Sequence, residues 1–201
     1  GAKPVEERFI GNANVYTVKL RNRVLRHTTK NSDPKNLTAP YYRRARHLSD
    51  TEKMQYIDLN FWLQGDILLK ADKMSMAHSL ELRVPYLDRD IMAQAQSLPA
   101  HFKIDGVNTK HVLRAAANKT LPDAWANRTK KGFPVPIRNW LREDRYYNLV
   151  KDAFTSDAAA EYFDTDALVR LLDEHRNGTN NGRRIWTVYT FLTWHKVFFG
   201  I

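Results

Sequence analysis

Four stretches gather the side chains that could do chemistry. Arg128-Thr129-Lys130-Lys131-Gly132-Phe133-Pro134 puts three cations on one loop beside a glycine hinge. Such a loop can bring an ammonium against phosphate oxygens, where it offsets charge that builds during phosphoryl or nucleotidyl transfer. An ordinary basic surface loop fits the same residues. Asp66, Lys70, Asp72 and Lys73 share two turns of one expected helix. On pattern alone they read first as a solvated face on which Asp66 and Lys70 pair at i,i+4. In Leu80-Glu81-Leu82-Arg83-Val84-Pro85-Tyr86-Leu87-Asp88 the extended backbone points Glu81 and Arg83 the same way. Their apolar neighbours predict a paired, partly buried couple that holds the segment's shape rather than reacting. Lys110 falls in the first turn of another expected helix, where a cation opposes the helix dipole and a bound anion would remove the conflict.

Composition narrows the chemistry. The chain has 201 residues, 43 % hydrophobic and 27 % charged, which is ordinary globular usage. It contains no cysteine, so no disulfide, thiolate metal site or cysteine nucleophile is carried here. The seven histidines show no metal-site spacing, and no metal ligand is assigned. There is no Gly-x-Gly-x-x-Gly, no Walker loop and no nucleophilic serine elbow. The net charge of +10 suits a polyanion such as a nucleotide, or a more acidic part of a larger protein. The basic runs at 19–30 and 43–47 also raise a different class, a nucleic-acid-binding module. No apolar run is long enough to span a bilayer and no secretory signal opens the chain, so no membrane partner and a cytoplasmic location are expected.

The elements that must position these residues read as mostly helical. Residues 1–48 look irregular and 49–201 look like a helical body, together one domain. Ser49-Asp50-Thr51-Glu52 is a capping box that opens a helix carrying Met54, Ile57 and Phe61. A second helix is expected from Asp66 to His78. Pro85 holds Val84 extended, and Asp88 caps a helix with Ile91 and Ala95. Thr109 is the expected cap of the helix holding Lys110 and Val112. The stretch 127–136 is a loop, 137–149 a helix, and Asp164 or Thr165 opens a helix that stops at Gly178. From Arg184 to Phe199 aromatic residues point nearly all round, which predicts a buried helix or one packed on a partner.

Read in order, DILLKADKMSMAHSLELRVPYLD, KHVLRAAANKTLP and NRTKKGFPVPIRNWL resemble the synthetase domain of glutamine-dependent asparagine synthetases. The tail EHRNGTNNGRRIWTVYTFLTWHKVFF resembles that family's closing helix. Three separated motifs in one order make the likeness specific, over roughly residues 45–200. It implies a mainly α fold, the helical C-terminal part of an α/β ATP-pyrophosphatase-type domain. The activity it implies is adenylation of aspartate by ATP and Mg²⁺, then attack on β-aspartyl-AMP by glutamine-derived ammonia. The family's glutaminase cysteine, its Ser-Gly-Gly phosphate loop and its Gly-Glu-Gly segment have no counterpart here. The chain is therefore expected to be a fragment, inactive alone, with ATP and Mg²⁺ held largely by upstream segments and a homodimer among its partners.

By the same resemblance Lys130 is the lysine at the α-phosphate and the acyl-adenylate. Asp66 lines that cleft, and Lys110 lies near the pyrophosphate. Glu81 and Arg83 form the structural pair before the turn that ends at Asp88. Lys131 stands where the family often has glutamine, so either lysine of the pair could face the nucleotide. Relatives that amidate another carboxylate or close a β-lactam ring are the alternative within the same chemistry.

Overall fold

Side-chain caps set where several of the helices begin. The computed structural model describes residues 3–12, 14–28, 33–106, 108–129, 132 and 135–200. In chain order the first helices are α1 (Val5–Arg8), α2 (Val18–Val24), α3 (Lys35–Arg44) and α4 (Asp50–Asp58). A π-helical stretch (Leu59–Leu68) runs on into α5 (Leu69–Met76). After a 3₁₀ turn at Pro85–Leu87 come α6 (Arg89–Ser97) and α7 (Ala100–Lys103), then β1 (Ile104–Asp105) and β2 (Asn108–Thr109). The rest is α8 (His111–Ala117), α9 (Asp123–Ala126), α10 (Ile137–Trp140), α11 (Asp144–Phe154), α12 (Asp157–Tyr162), α13 (Thr165–Arg176) and α14 (Gly182–Phe199). The protein is mainly α. Its sheet among the described residues is one antiparallel pair, with Ile104 opposite Thr109 and Asp105 opposite Asn108. No helix among the described residues is long and apolar enough to cross a membrane.

The chain divides into two compact units, Gly1–Gly11 with Thr38–Gly132, and Asn12–Leu37 with Phe133–Ile201. In the first, Val5, Tyr42 and Ile57 form a small buried cluster flanked by Phe9, Met54 and Phe61. Arg8–Asp50 (2.9 Å) and Lys53–Glu6 (3.2 Å) tie α1 to α4. Beyond Ile57 the pattern changes: from Asp58 to Thr129 no described residue is buried. Met74, Leu80 and Tyr86 are each more than half exposed.

The second unit has the larger core, built from Phe154, Leu168, Leu172, Ile185, Val188 and Leu192 among others. Its α2 is pinned to the α12–α13 junction by Asp164 N–H to Val24 O (2.9 Å) and Arg26 N–H to Tyr162 O (2.9 Å). Tyr16 Oη donates to Arg184 O at 2.8 Å, and burial pushes that hydroxyl up to about 12. The closing helix buries one stripe, Ile185, Val188, Leu192 and His195, and leaves Trp186, Trp194 and Phe198 about half exposed or more. It is therefore not buried all round: the face away from the core carries exposed aromatic side chains.

Several local expectations shift. Residues 3–48 hold three short helices, because α1 packs on α4 and α2 packs on α13. The helices expected at Ser49 and Asp66 are one continuous rod through the π stretch. The expected 137–149 helix is broken between Trp140 and Asp144. There Arg142 reaches across to His175 O (3.2 Å) and Gly178 O (3.3 Å).

Candidate functional site

Asp66 sits in the π-helical stretch. At its entry, Leu59 N–H is shared between Gln55 O and Tyr56 O. Asn60 Nδ2 takes Tyr56 O at 2.8 Å, the acceptor that Asn60's own backbone N–H would use in an α-helix. Tyr56 O thus accepts from both Leu59 N–H and Asn60 Nδ2 where the wide turns begin. Wide turns of this kind recur at functional sites because they rotate side chains away from α-helical register. The Asp66 carboxylate is 42 % exposed and accepts from Lys70 Nζ at 3.5 Å.

Past α5, Ser79 adopts a left-handed backbone (φ 56°) and turns the chain into the 80–84 segment. Glu81 and Arg83 do pair there, yet their side chains are 69 % and 81 % exposed. The expected partial burial fails because the apolar neighbours Leu82 and Val84 are themselves exposed and build no enclosure. Asp88 Oδ1 accepts from Asp90 N–H (3.0 Å) and Ile91 N–H (3.3 Å), capping α6 as its sequence predicts.

Lys110 occupies the N-cap position of α8 rather than its first turn, with φ 61° and ψ 35°. Thr109 does not cap this helix. It is held in the hairpin opposite Ile104, so the chain must change from strand to helix within one residue. A left-handed conformation achieves that, and for a lysine it costs roughly 1 kcal/mol.

Arg114, which sequence reasoning passed over, connects this junction to the basic loop. Its Nε donates to Thr109 O at 3.1 Å, and its Nη1 donates to Ala126 O (3.1 Å) and Arg128 O (3.2 Å). The one signal for it was its place four residues after Lys110 in the KHVLR string. Asn127 Nδ2 reinforces the same stem through Asp123 Oδ1 (2.6 Å). Lys130 and Lys131 lie outside the described residues. Among the described residues no hydrogen bond or ion pair joins Asp66 to Lys110, and no cluster of three His, Asp or Glu side chains converges on a metal position.

In the second unit the junction before the closing helix is made by His175, which is fully buried. Its Nδ1 accepts from Asn181 N–H at 3.0 Å, which leaves Nε2–H to donate to Arg138 O at 2.9 Å. Asn181 in turn donates to Leu171 O and Glu174, and accepts from Arg184.

The sequence profile of the asparagine synthase family matches residues 3–196. Asparagine synthetase [glutamine-hydrolyzing] 1 of Bacillus subtilis is 39 % identical over 198 residues, 98 % of this chain and 31 % of that protein. A putative asparagine synthetase [glutamine-hydrolyzing] of Mycobacterium tuberculosis H37Rv is 42 % identical over 199 residues, 98 % of this chain and 30 % of its own length. The asparagine synthetase [glutamine-hydrolyzing] of Rattus norvegicus is 34 % identical over 105 residues, 47 % of this chain and 18 % of that protein. No solved structure matches the chain. It spans about 30 % of the length of the curated relatives it matches most fully. With its motifs in family order and the profile running nearly end to end, the chain belongs to the asparagine synthase family.

Proposed function

We propose that this chain supplies helices to the synthetase site of a glutamine-hydrolysing asparagine synthase, a carbon–nitrogen ligase of the cytoplasm. The observation that carries the reading is the likeness to relatives of that name over 98 % of the chain. The reaction has two steps. A carboxylate oxygen of aspartate attacks the α-phosphorus of ATP and expels pyrophosphate. Ammonia then attacks the acyl carbon of β-aspartyl-AMP, and AMP leaves with the bonding electrons while the nitrogen sheds a proton.

Lys130 is assigned to the α-phosphoryl group, where an ammonium counts most as charge builds in the transition state. Lys110 is assigned to the pyrophosphate, and Asp66 to orienting a cation within the same cleft. Glu81, Arg83 and Asp88 hold the turn that carries the 80–88 segment. The described residues offer no cluster fit to hold Mg²⁺, so no step is assigned to it here. The 201 residues alone are assigned no activity. The glutaminase and nucleotide-binding parts that would complete the reaction, and a second copy of the subunit, are proposed partners.

Aspartate-dependent exchange of labelled pyrophosphate into ATP, measured on the full-length protein, tests the reading. Exchange with aspartate, its marked but measurable slowing in Lys130→Ala and its absence from the isolated chain are expected. Exchange driven by a different carboxylic acid and not by aspartate would overturn the substrate assignment.

A further inference from the structure

We infer that Arg114 is a positioning residue that locks the Lys110 junction to the stem of the basic loop. Its three acceptors are all main-chain carbonyls, and they come from two places far apart in sequence: Thr109, immediately before Lys110, and Ala126 and Arg128, where the chain leaves α9. A guanidinium is a planar fork of donors, so two acceptor sites bound at once fix their mutual distance and direction. A lysine carries its three donors on one freely rotating nitrogen and does not fix the direction between two acceptor sites.

Arg114 springs from α8 one turn after Lys110, and its own N–H closes the first helical bond of α8 onto Lys110 O at 2.9 Å. One residue therefore braces the left-handed Lys110 twice, its side chain on Thr109 O and its backbone N–H on Lys110 O. The described chain continues from Arg128 to Thr129, and the sequence then gives Lys130. The inference rests on the assignment of Lys130 to the nucleotide made above. Arg114 touches no reacting atom in this account. It fixes the main chain at Thr109 and Arg128, one and two residues before Lys110 and Lys130 in sequence, and a displacement of about 1 Å at a reacting group can cost as much as 100-fold in rate.

The test uses the full-length protein with Arg114→Met, Arg114→Lys, Lys130→Ala and the Arg114→Met/Lys130→Ala double variant. Arg114→Met is expected to lower kcat for pyrophosphate exchange by about 10- to 100-fold, with KM for ATP changed far less. Its amides at 127–129 should exchange with deuterium faster than wild type. Arg114→Met should slow the Lys130→Ala protein by much less than it slows wild type, because only Lys110 is then left to position. Arg114→Lys, which keeps the charge and loses the fork, should show the same pattern, and it carries the test should Arg114→Met lose its helical circular dichroism.

Unchanged kcat, unchanged amide exchange at 127–129, or a double variant in which the two losses multiply would each overturn the role of Arg114 while leaving Lys130 assigned. Full activity in Lys130→Ala would instead overturn the assignment of Lys130, and the positioning role would fall with it.

Discussion

Lys110 pays a conformational cost that a glycine would not. A left-handed lysine between a strand and a helix makes sense where the ammonium is wanted at that spot, since strain of this kind gathers at functional positions. Lys110→Gly should therefore raise resistance of the chain to urea by about 0.5–1 kcal/mol. In the full-length protein the same change should lower pyrophosphate exchange, and a stabilised variant with undiminished exchange would contradict the assignment of Lys110. Tyr16 gives a second residue-scale test, this one in pH. Its hydroxyl is raised to about 12 by burial, so the folded form holds the proton through pH 10–12 while the unfolded chain releases it. Stability is then fully present below pH 10 and falls as pH climbs toward 12. Tyr16→Phe removes that slope. The two proteins should differ most near pH 8, where the bond to Arg184 O is intact, and converge in urea titrations as pH passes 11.

At the scale of elements, the helix starts were legible where a side chain bonds its own neighbours. Ser49 and Glu52 exchange bonds across three residues, Asp88 serves Asp90 and Ile91, and Asp164 Oδ1 serves Ala167 N–H at 2.8 Å. Ser156 caps α12 through Ala159 N–H in the same way. Ser49→Ala should cost the first unit about 1 kcal/mol, checked by chemical denaturation. What stayed hidden depends on partners distant in the chain. The break before α11 follows from Arg142 reaching residues 33 and 36 positions away, and no spacing rule announces that. The π stretch was hidden for another reason: its apolar residues satisfy a helical repeat, and nothing in that repeat shows that the Asn60 side chain bonds Tyr56 O. Asn60→Leu should return the 59–68 segment toward α-helical bonding, seen as slower amide exchange there. Of the candidate site, the motifs were legible as words. Their geometry was not, because the left-handed Lys110 comes from a two-residue hairpin too short to leave a strand pattern, and the exposure of Glu81 and Arg83 from neighbours that bury nothing.

For the whole molecule, surface area is the telling quantity. The chain exposes 15006 Å². Two separate globules of about half its mass each would expose roughly 11,800 Å² together. The excess is matched by the run from Asp58 to Thr129, where apolar side chains such as Leu80, Tyr86 and Trp125 face solvent. Uncovered apolar surface of that extent drives association. At micromolar concentration the isolated 201 residues should sediment as more than a monomer, and a single sharp monomer boundary in velocity sedimentation would contradict this. The bonds from Val24 and Arg26 to Asp164 and Tyr162 carry one more implication. The partner of α2 is synthesised some 140 residues after α2 itself, a delay of about 7–28 s at translation rates of roughly 5–20 residues per second. For that interval the nascent segment has emerged from the ribosome without its mate, so a trigger-factor-like holdase that masks it, or a slowly translated message ahead of α12, would change the yield of folded product without altering a single contact in it.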